Sequence, residues 1–233
     1  MSRDIKTDFE KLLDFIEQYS IASLPEDKEF VDCLSQMHKK YYAFIALIFE
    51  LENIKNPKTL KGKQRDFLLE SVSDIGNSIF LAINGAYKPS RLILRSSIET
   101  FLKGFVIDWL PNIDSEKKIY KMFEDIKTVS FFTTVPNKSL FDDLNSRYST
   151  LSEDTHTARS GNMQHTSSLN YFPTKSLMEL KEISKMNMKL TSSFLTLLCF
   201  KFNAEFHGIH HKNKQIILNN ILKEYRPKIM NIE

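Results

Sequence analysis

Apolar residues recur at helical spacing along most of the chain. From Ile5 onwards they fall at i, i+4, i+7, i+8 and i+11, which predicts a helix over 4–19. Further runs of the same period follow, with start signals at Ser23-Leu24-Pro25-Glu26, Pro89, Asp114-Ser115, Ser139 and Ser176. Breaks are predicted at Asn56-Pro57, Gly85, Pro111 and Gly208. A long helix is expected over 176–206, with a short amphipathic helix after Gly208.

Two stretches interrupt this pattern. Residues 131–135 have the composition of a strand, but no partner run accompanies them, so an extended connection is predicted. Residues 157–175 show no period and collect Gly, Asn, Ser, Thr and Pro, which predicts a long loop.

The composition agrees with helices. The 233 residues include 18 Phe but only 6 Gly and 7 Pro, too few turn formers for an all-β sandwich or barrel. Abundant aromatic residues likewise exclude a disordered chain. We therefore predict an all-α bundle of about seven or eight helices in one domain over 1–233. It would consist of an N-terminal helical hairpin (1–57), a core bundle (58–206) and a helical tail (207–233).

The net charge of +3 conceals an uneven distribution. Residues 57–104 carry 8 basic and 4 acidic side chains, and residues 175–233 carry 10 and 5. The two basic segments could form one basic face, although solvated lysines on helix surfaces would give the same count.

Cysteine usage and the N-terminus indicate a cytoplasmic location. Cys33 and Cys199 fall in apolar helical patterns without Cys-x-x-Cys spacing, which indicates buried thiols and excludes a disulfide framework. The charged N-terminus has no signal-peptide core, and no apolar stretch reaches the roughly 20 residues that a membrane span requires.

The helix that follows Gly85 carries two charges on its apolar side. Arg95 and Glu99 are four residues apart, so they can pair across one turn, and both fall in the arc that contains Leu102 and Val106. Burying even a paired couple costs several kcal/mol of desolvation. A functional role or a structural tie to a neighbouring helix would each account for it.

A second group of polar residues follows on a later helix. Tyr148, Ser152 and His156 are spaced i, i+4 and i+8, which predicts one polar stripe. We predict that this stripe packs against Arg95 and Glu99. A histidine at the end of an amphipathic helix can also serve as a cap or a core residue.

These two motifs together resemble the HEPN superfamily (higher eukaryotes and prokaryotes nucleotide-binding). The motifs are Gly-x-Tyr…Leu-x-x-Arg-Ser-x-x-Glu over 85–99 and Tyr-x-x-Leu-Ser-x-x-x-His over 148–156. The bacterial abortive-infection branch is the most similar. The resemblance implies a helical bundle, a homodimer and a metal-independent ribonuclease of phage-defence, toxin–antitoxin or RNA-processing systems. Some members of the superfamily are non-catalytic binding modules.

The resemblance implies His156 as the family histidine, with Arg95 and Glu99 as its catalytic partners and Tyr148 and Ser152 in support. The superfamily's ribonuclease motif is Arg, four to six residues, then His. Arg147 and His156 have eight residues between them and do not fit it. Arg159 and His165 have five and form a competing pair, although they lie in the predicted loop.

No cofactor or metal is expected. His207, His210 and His211 lack the cysteine or carboxylate partners of a metal site and are interpreted as a helix-end cluster. Two functions follow from the resemblance. One is an endoribonuclease acting on RNA in defence or as a toxin, with an antitoxin or defence-system partner. The other is a non-catalytic module for a protein, nucleotide or nucleic acid.

Overall fold

The computed structural model describes residues 27–54, 60–155 and 176–231. Nine α-helices contain most of these residues, and no β-strand occurs among them. In chain order they are α1 (Lys28–Asn53), α2 (Gly62–Ile83), α3 (Tyr87–Val106), α4 (Ile119–Lys127), α5 (Asn137–Thr155), α6 (Leu177–Lys201), α7 (Asn203–Gly208), α8 (His211–Asn220) and α9 (Arg226–Met230). The predicted all-α class is confirmed. The predicted helix over 4–19 and the loop over 157–175 lie outside the described residues.

Capping explains several helix ends. The Asp27 side chain accepts a hydrogen bond from the Phe30 amide at 3.1 Å and begins α1. After α2, Gly85 adopts a φ of 74°, and the Ala86 amide donates to the Leu81 carbonyl at 2.9 Å. This bond is the six-residue closure of a Schellman motif, which requires the left-handed conformation that glycine adopts readily.

One predicted helix cap and one predicted connection are wrong. Asp114 does not cap α4, because it lies in a 3-10 turn (Ile113–Ser115) and pairs with Lys63 of α2. Residues 131–135 are not fully extended, because Ser130–Phe132 forms another 3-10 turn. There the Phe131 and Phe132 rings pack against Phe105, with centroids 5.2 and 5.5 Å away.

The C-terminal part is more divided than predicted. The helix expected over 176–206 breaks at Phe202, whose φ of −111° and ψ of 41° are not helical. The short helix α9 was not predicted; it follows a 3-10 turn (Lys223–Tyr225).

Helices α2 and α3 form the most extensive helix pair. Small residues face each other along an antiparallel seam. The Ser71 hydroxyl donates to the Ser97 carbonyl at 3.0 Å, and the Ser78 and Ser90 hydroxyls are 2.9 Å apart. Each helix repeats its serine after seven residues, the interval at which a helix returns to the same face. Further along, Gly104 lies directly against Phe67 and Leu68.

Aromatic rings from three helices meet in the core. Phe101 of α3 stacks on Phe194 of α6, with centroids 4.0 Å apart and planes at 12°, and Phe44 of α1 lies 5.9 Å from Phe194. All three rings are fully buried. They place α3 at the centre of the fold. None of the helices in the described ranges is long and apolar enough to cross a membrane.

Candidate functional site

The predicted charge pair forms on α3. The Arg95 Nη2 and Glu99 Oε1 atoms are 3.3 Å apart, and each side chain is 24% exposed. The pair is therefore at the edge of the core, where three quarters of each side chain is shielded but some contact with solvent remains.

Tyr148 of α5 completes the cluster. Its hydroxyl accepts a hydrogen bond from Arg95 Nη2 at 2.5 Å and donates to Glu99 Oε1 at 2.9 Å. The Arg95 guanidinium also lies over the Tyr148 ring, 4.9 Å from its centroid. The ring packs on Phe123 of α4 at 5.1 Å, and only 8% of Tyr148 is exposed. The structure thus brings Arg95, Glu99 and Tyr148 together across the α3–α5 interface.

The phenol is held in its neutral form. Burial raises the pKa of Tyr148, and the hydrogen bond to Glu99 and its negative charge raise it further, while Arg95 opposes the shift. The Tyr148 hydroxyl therefore remains a hydrogen-bond donor to the Glu99 carboxylate, and it fixes the orientation of the Arg95 and Glu99 side chains.

The next residue of the predicted stripe lies one turn along α5. Ser152 is half-buried, and its hydroxyl donates to the Tyr148 carbonyl at 2.8 Å. This bond ties Ser152 to the backbone of the helix that carries Tyr148.

The remaining predicted site residues cannot be placed in this geometry. His156, Arg159 and His165 lie outside the described residues, in the gap 156–175. In sequence, His156 directly follows Thr155, the last residue of α5.

Arg147 belongs to a different contact. Its guanidinium makes two hydrogen bonds to Asp143, at 2.7 and 2.8 Å, and its Nη1 lies 3.8 Å from the Met186 sulfur of α6. Arg147 therefore joins α5 to α6.

Asp74 of α2 adds a carboxylate that the sequence reasoning missed. It is only 5% exposed, and it accepts a long hydrogen bond from the Thr100 hydroxyl at 3.4 Å. Burial raises its pKa, and the nearby carboxylates of Glu70 and Glu99 raise it further, whereas hydrogen bonds from Ser96 and Thr100 lower it. Its position between the apolar Val72 and Ile75 was the available signal in the sequence.

The described ranges contain no group of three or more His, Cys, Asp or Glu side chains that could hold a metal ion. His207 is close to a backbone carbonyl, with Nε2 3.0 Å from Ile229 O, and the His210 and His211 rings are 4.5 Å apart. Cys199 is buried as predicted, whereas Cys33 is only half-buried.

The cluster has a definite chemical capacity. A guanidinium can bind a phosphate oxygen, a carboxylate can accept a proton or orient a cation, and a neutral phenol can donate a hydrogen bond. Comparison of the chain with protein-family models, curated proteins and solved structures finds no significant match. The similarity to HEPN proteins therefore rests on the two sequence motifs.

Proposed function

We propose that this protein is a HEPN-like, metal-independent endoribonuclease that acts in phage defence or a toxin-type system. The observation that supports the proposal best is the Arg95–Tyr148–Glu99 cluster at the α3–α5 interface. It combines a cation and a carboxylate on the helix pair whose second member leads in sequence to His156.

Metal-independent cleavage of RNA needs three functions. A base takes the proton of a 2′-hydroxyl, a cation stabilises the phosphorane charge, and an acid protonates the departing 5′-oxygen. In the proposal His156 transfers the protons, because histidine is the side chain whose ordinary pKa lies near neutral pH. Arg95 binds the phosphorane, and Glu99 and Tyr148 hold Arg95 in place, with Ser152 supporting Tyr148. The attacking 2′-oxygen remains bonded to phosphorus, so the products are a 2′,3′-cyclic phosphate and a 5′-hydroxyl.

Replacing His156 tests this assignment. Wild type and His156→Ala would be incubated with a mixed RNA pool in EDTA, and the new ends identified. We expect wild type to produce cyclic-phosphate ends and His156→Ala to be slower by about 10²-fold or more, the usual contribution of general acid–base catalysis. His38→Ala is the matched control, because His38 is exposed on α1. Intact RNA with wild type, or equal cleavage by His156→Ala, would contradict the assignment.

The second candidate is a non-catalytic binding module. It is favoured by the use of the Tyr148 hydroxyl within the fold, as donor to Glu99 and acceptor from Arg95. In that case the cluster fastens α5 to α3. Thermal melting alongside the RNA assay separates the two functions, because the module predicts intact RNA with wild type and a lower melting temperature for His156→Ala.

The resemblance also leads us to propose a cytoplasmic homodimer with an antitoxin or defence-system partner. Sedimentation equilibrium of the purified chain measures its mass directly. A mass of twice 27.2 kDa supports the dimer, and a monomer over the whole concentration range contradicts it.

A further inference from the structure

Cations from two elements meet at the C-terminal end of α8. The Lys40 ammonium of α1 donates to the Asn220 carbonyl at 2.8 Å, and the Arg226 guanidinium of α9 donates to the Asn219 carbonyl at 3.1 Å. Because the two carbonyls are consecutive, the two side chains converge on one place. Lys223 is exposed in the 3-10 turn (Lys223–Tyr225) that precedes α9. We call Lys40, Lys223 and Arg226 the α8 cationic cluster.

The three charges act on one another. The pKa of Lys40 is lowered to about 8 by burial and then by the positive charges of Arg226 and Lys223. Burial and positive charge both lower the pKa of Lys40, and no carboxylate of the described residues opposes them. Burial raises the pKa of the neighbouring Tyr225, and the carboxylates of Glu224 and Asp143 raise it further.

The helix end compensates only part of this charge. The carbonyls that end a helix carry about half of a negative elementary charge in total, against three full positive charges here. The ammonium of Lys40 has three donors, of which Asn220 takes one. Arg226 Nε is buried with no hydrogen-bond partner in the described part of the chain.

We propose that the α8 cationic cluster binds a phosphate group, and that in the cell this phosphate belongs to the backbone of an RNA strand. Arginine and lysine are the side chains that usually bind phosphate, arginine through a planar fork and lysine as a point charge. A bound phosphate would offset the mutual repulsion of the three cations. The second half of the proposal rests on the proposed function, whereas the first half depends only on the cluster.

Lys223 is the most informative position to change. It is exposed, so Lys223→Gln removes one charge with little effect on packing. Arg226→Gln also removes the bond to Asn219, so the double variant is used with circular dichroism as a check of folding. Lys117→Gln with Lys118→Gln is the matched control, since both lysines are exposed before α4 and the same charge is lost.

The first measurement is the melting temperature with added inorganic pyrophosphate at constant ionic strength. We expect a concentration-dependent rise in wild type and control, a smaller rise in Lys223→Gln and none in the double variant. No rise in wild type, or an equal rise in all four proteins, would overturn the phosphate site. A loss of stability in the variants without any pyrophosphate effect in wild type would show that the cations only cap α8.

The second measurement is the binding of a labelled single-stranded RNA in EDTA, with His156→Ala in every protein to prevent cleavage. We expect the double variant to bind at least about tenfold more weakly than the control, with a salt dependence lower by about one phosphate contact per cation removed. Unchanged RNA binding with lost pyrophosphate binding would assign the site to a small phosphate compound instead. Weakened RNA binding, with no cleavage by the wild-type protein, would refute the ribonuclease but support this site.

Discussion

Asp74, a single residue near the candidate site, lowers the stability of the fold when its carboxyl group is charged. It is almost fully buried, its pKa is raised, and the described residues provide it with no ion pair. A carboxylate with a raised pKa in the folded state binds its proton more tightly there than in the unfolded chain. Its contribution to stability is therefore complete below the unfolded pKa of about 3.8 and is lost as the pH rises through the folded pKa.

Replacing Asp74 with Asn should therefore stabilise the protein at pH 7. Asn keeps the acceptor for Thr100 and removes the charge that burial and Glu99 disfavour. Urea unfolding at pH 7 and near pH 3.5 is the measurement, and we expect the gain at pH 7 to disappear at the lower pH. Asp66→Asn is the control, since Asp66 is 71% exposed on the same helix. A gain that is equal at both pH values would contradict the electrostatic explanation.

Among the helices, the α2–α3 pair depends on side chains that are small rather than apolar. The hydroxyls of Ser71, Ser78 and Ser90 bond to the facing helix, and glycine allows the backbones to approach. Close approach of this kind leaves no room for an added methyl group.

Gly104→Ala should destabilise the protein by about 1–3 kcal/mol, the usual cost of overpacking. A Cβ at this position would lie 2.9 Å from Phe67 Cβ and 3.1 Å from the Leu68 backbone nitrogen, and the backbone atom cannot turn away. Chemical denaturation gives the change in the free energy of unfolding. Gly208→Ala is the matched control, because nothing lies within 4 Å of its added carbon. A loss no larger for Gly104→Ala than for Gly208→Ala would show that the helices can separate at little cost.

The helical spacing of apolar and polar residues in the sequence predicted the main helices and part of the candidate site. The end of α2 at Gly85 and the approach of Tyr148 to Arg95 follow from local signals and from the face that each residue occupies. The turn at 130–132 was missed because aromatic packing on Phe105, rather than local propensity, determines it. Asp74 was missed because helical period identifies apolar positions and does not indicate which polar residue a neighbouring helix covers.

Across the whole molecule, lysines reach the ends of distant helices. Lys201 of α6 donates to the Phe105 carbonyl near the end of α3, and its Nζ lies 2.9 Å from Asp108 Oδ2. Lys40 of α1 likewise donates to the Asn220 carbonyl at the end of α8. Burial lowers the pKa of both lysines. These contacts link segments far apart in sequence, and they require positive charge to be partly buried.

The stability of the molecule should therefore change with pH in the alkaline range. Lys40 has a pKa of about 8 in the folded protein and 10.5 in the unfolded chain. The fold therefore disfavours the charged form, so the contribution of Lys40 to the free energy of unfolding is complete above pH 10.5 and is lost as the pH falls through about 8. We expect the stability advantage of Lys40→Met over wild type to decrease as the pH rises between these values. Urea unfolding across that range measures it, with Lys39→Met on the exposed side of α1 as control. An advantage independent of pH would contradict the shift.

The seven-residue repeat of the serine seam does not by itself fix how α2 and α3 align, and the short turn between them does. If α3 slid along α2 by seven residues, Ser71 would lie opposite Ser90, and serine would again face serine. The serine repeat alone therefore does not fully distinguish the native alignment, which has two serine contacts, from the shifted one, which keeps one. The turn over 84–86 does, because it is too short to bridge a displacement of two helical turns. Three residues around Gly85 thus set the alignment of the two helices, and with it the position of Arg95 and Glu99 relative to Asp74.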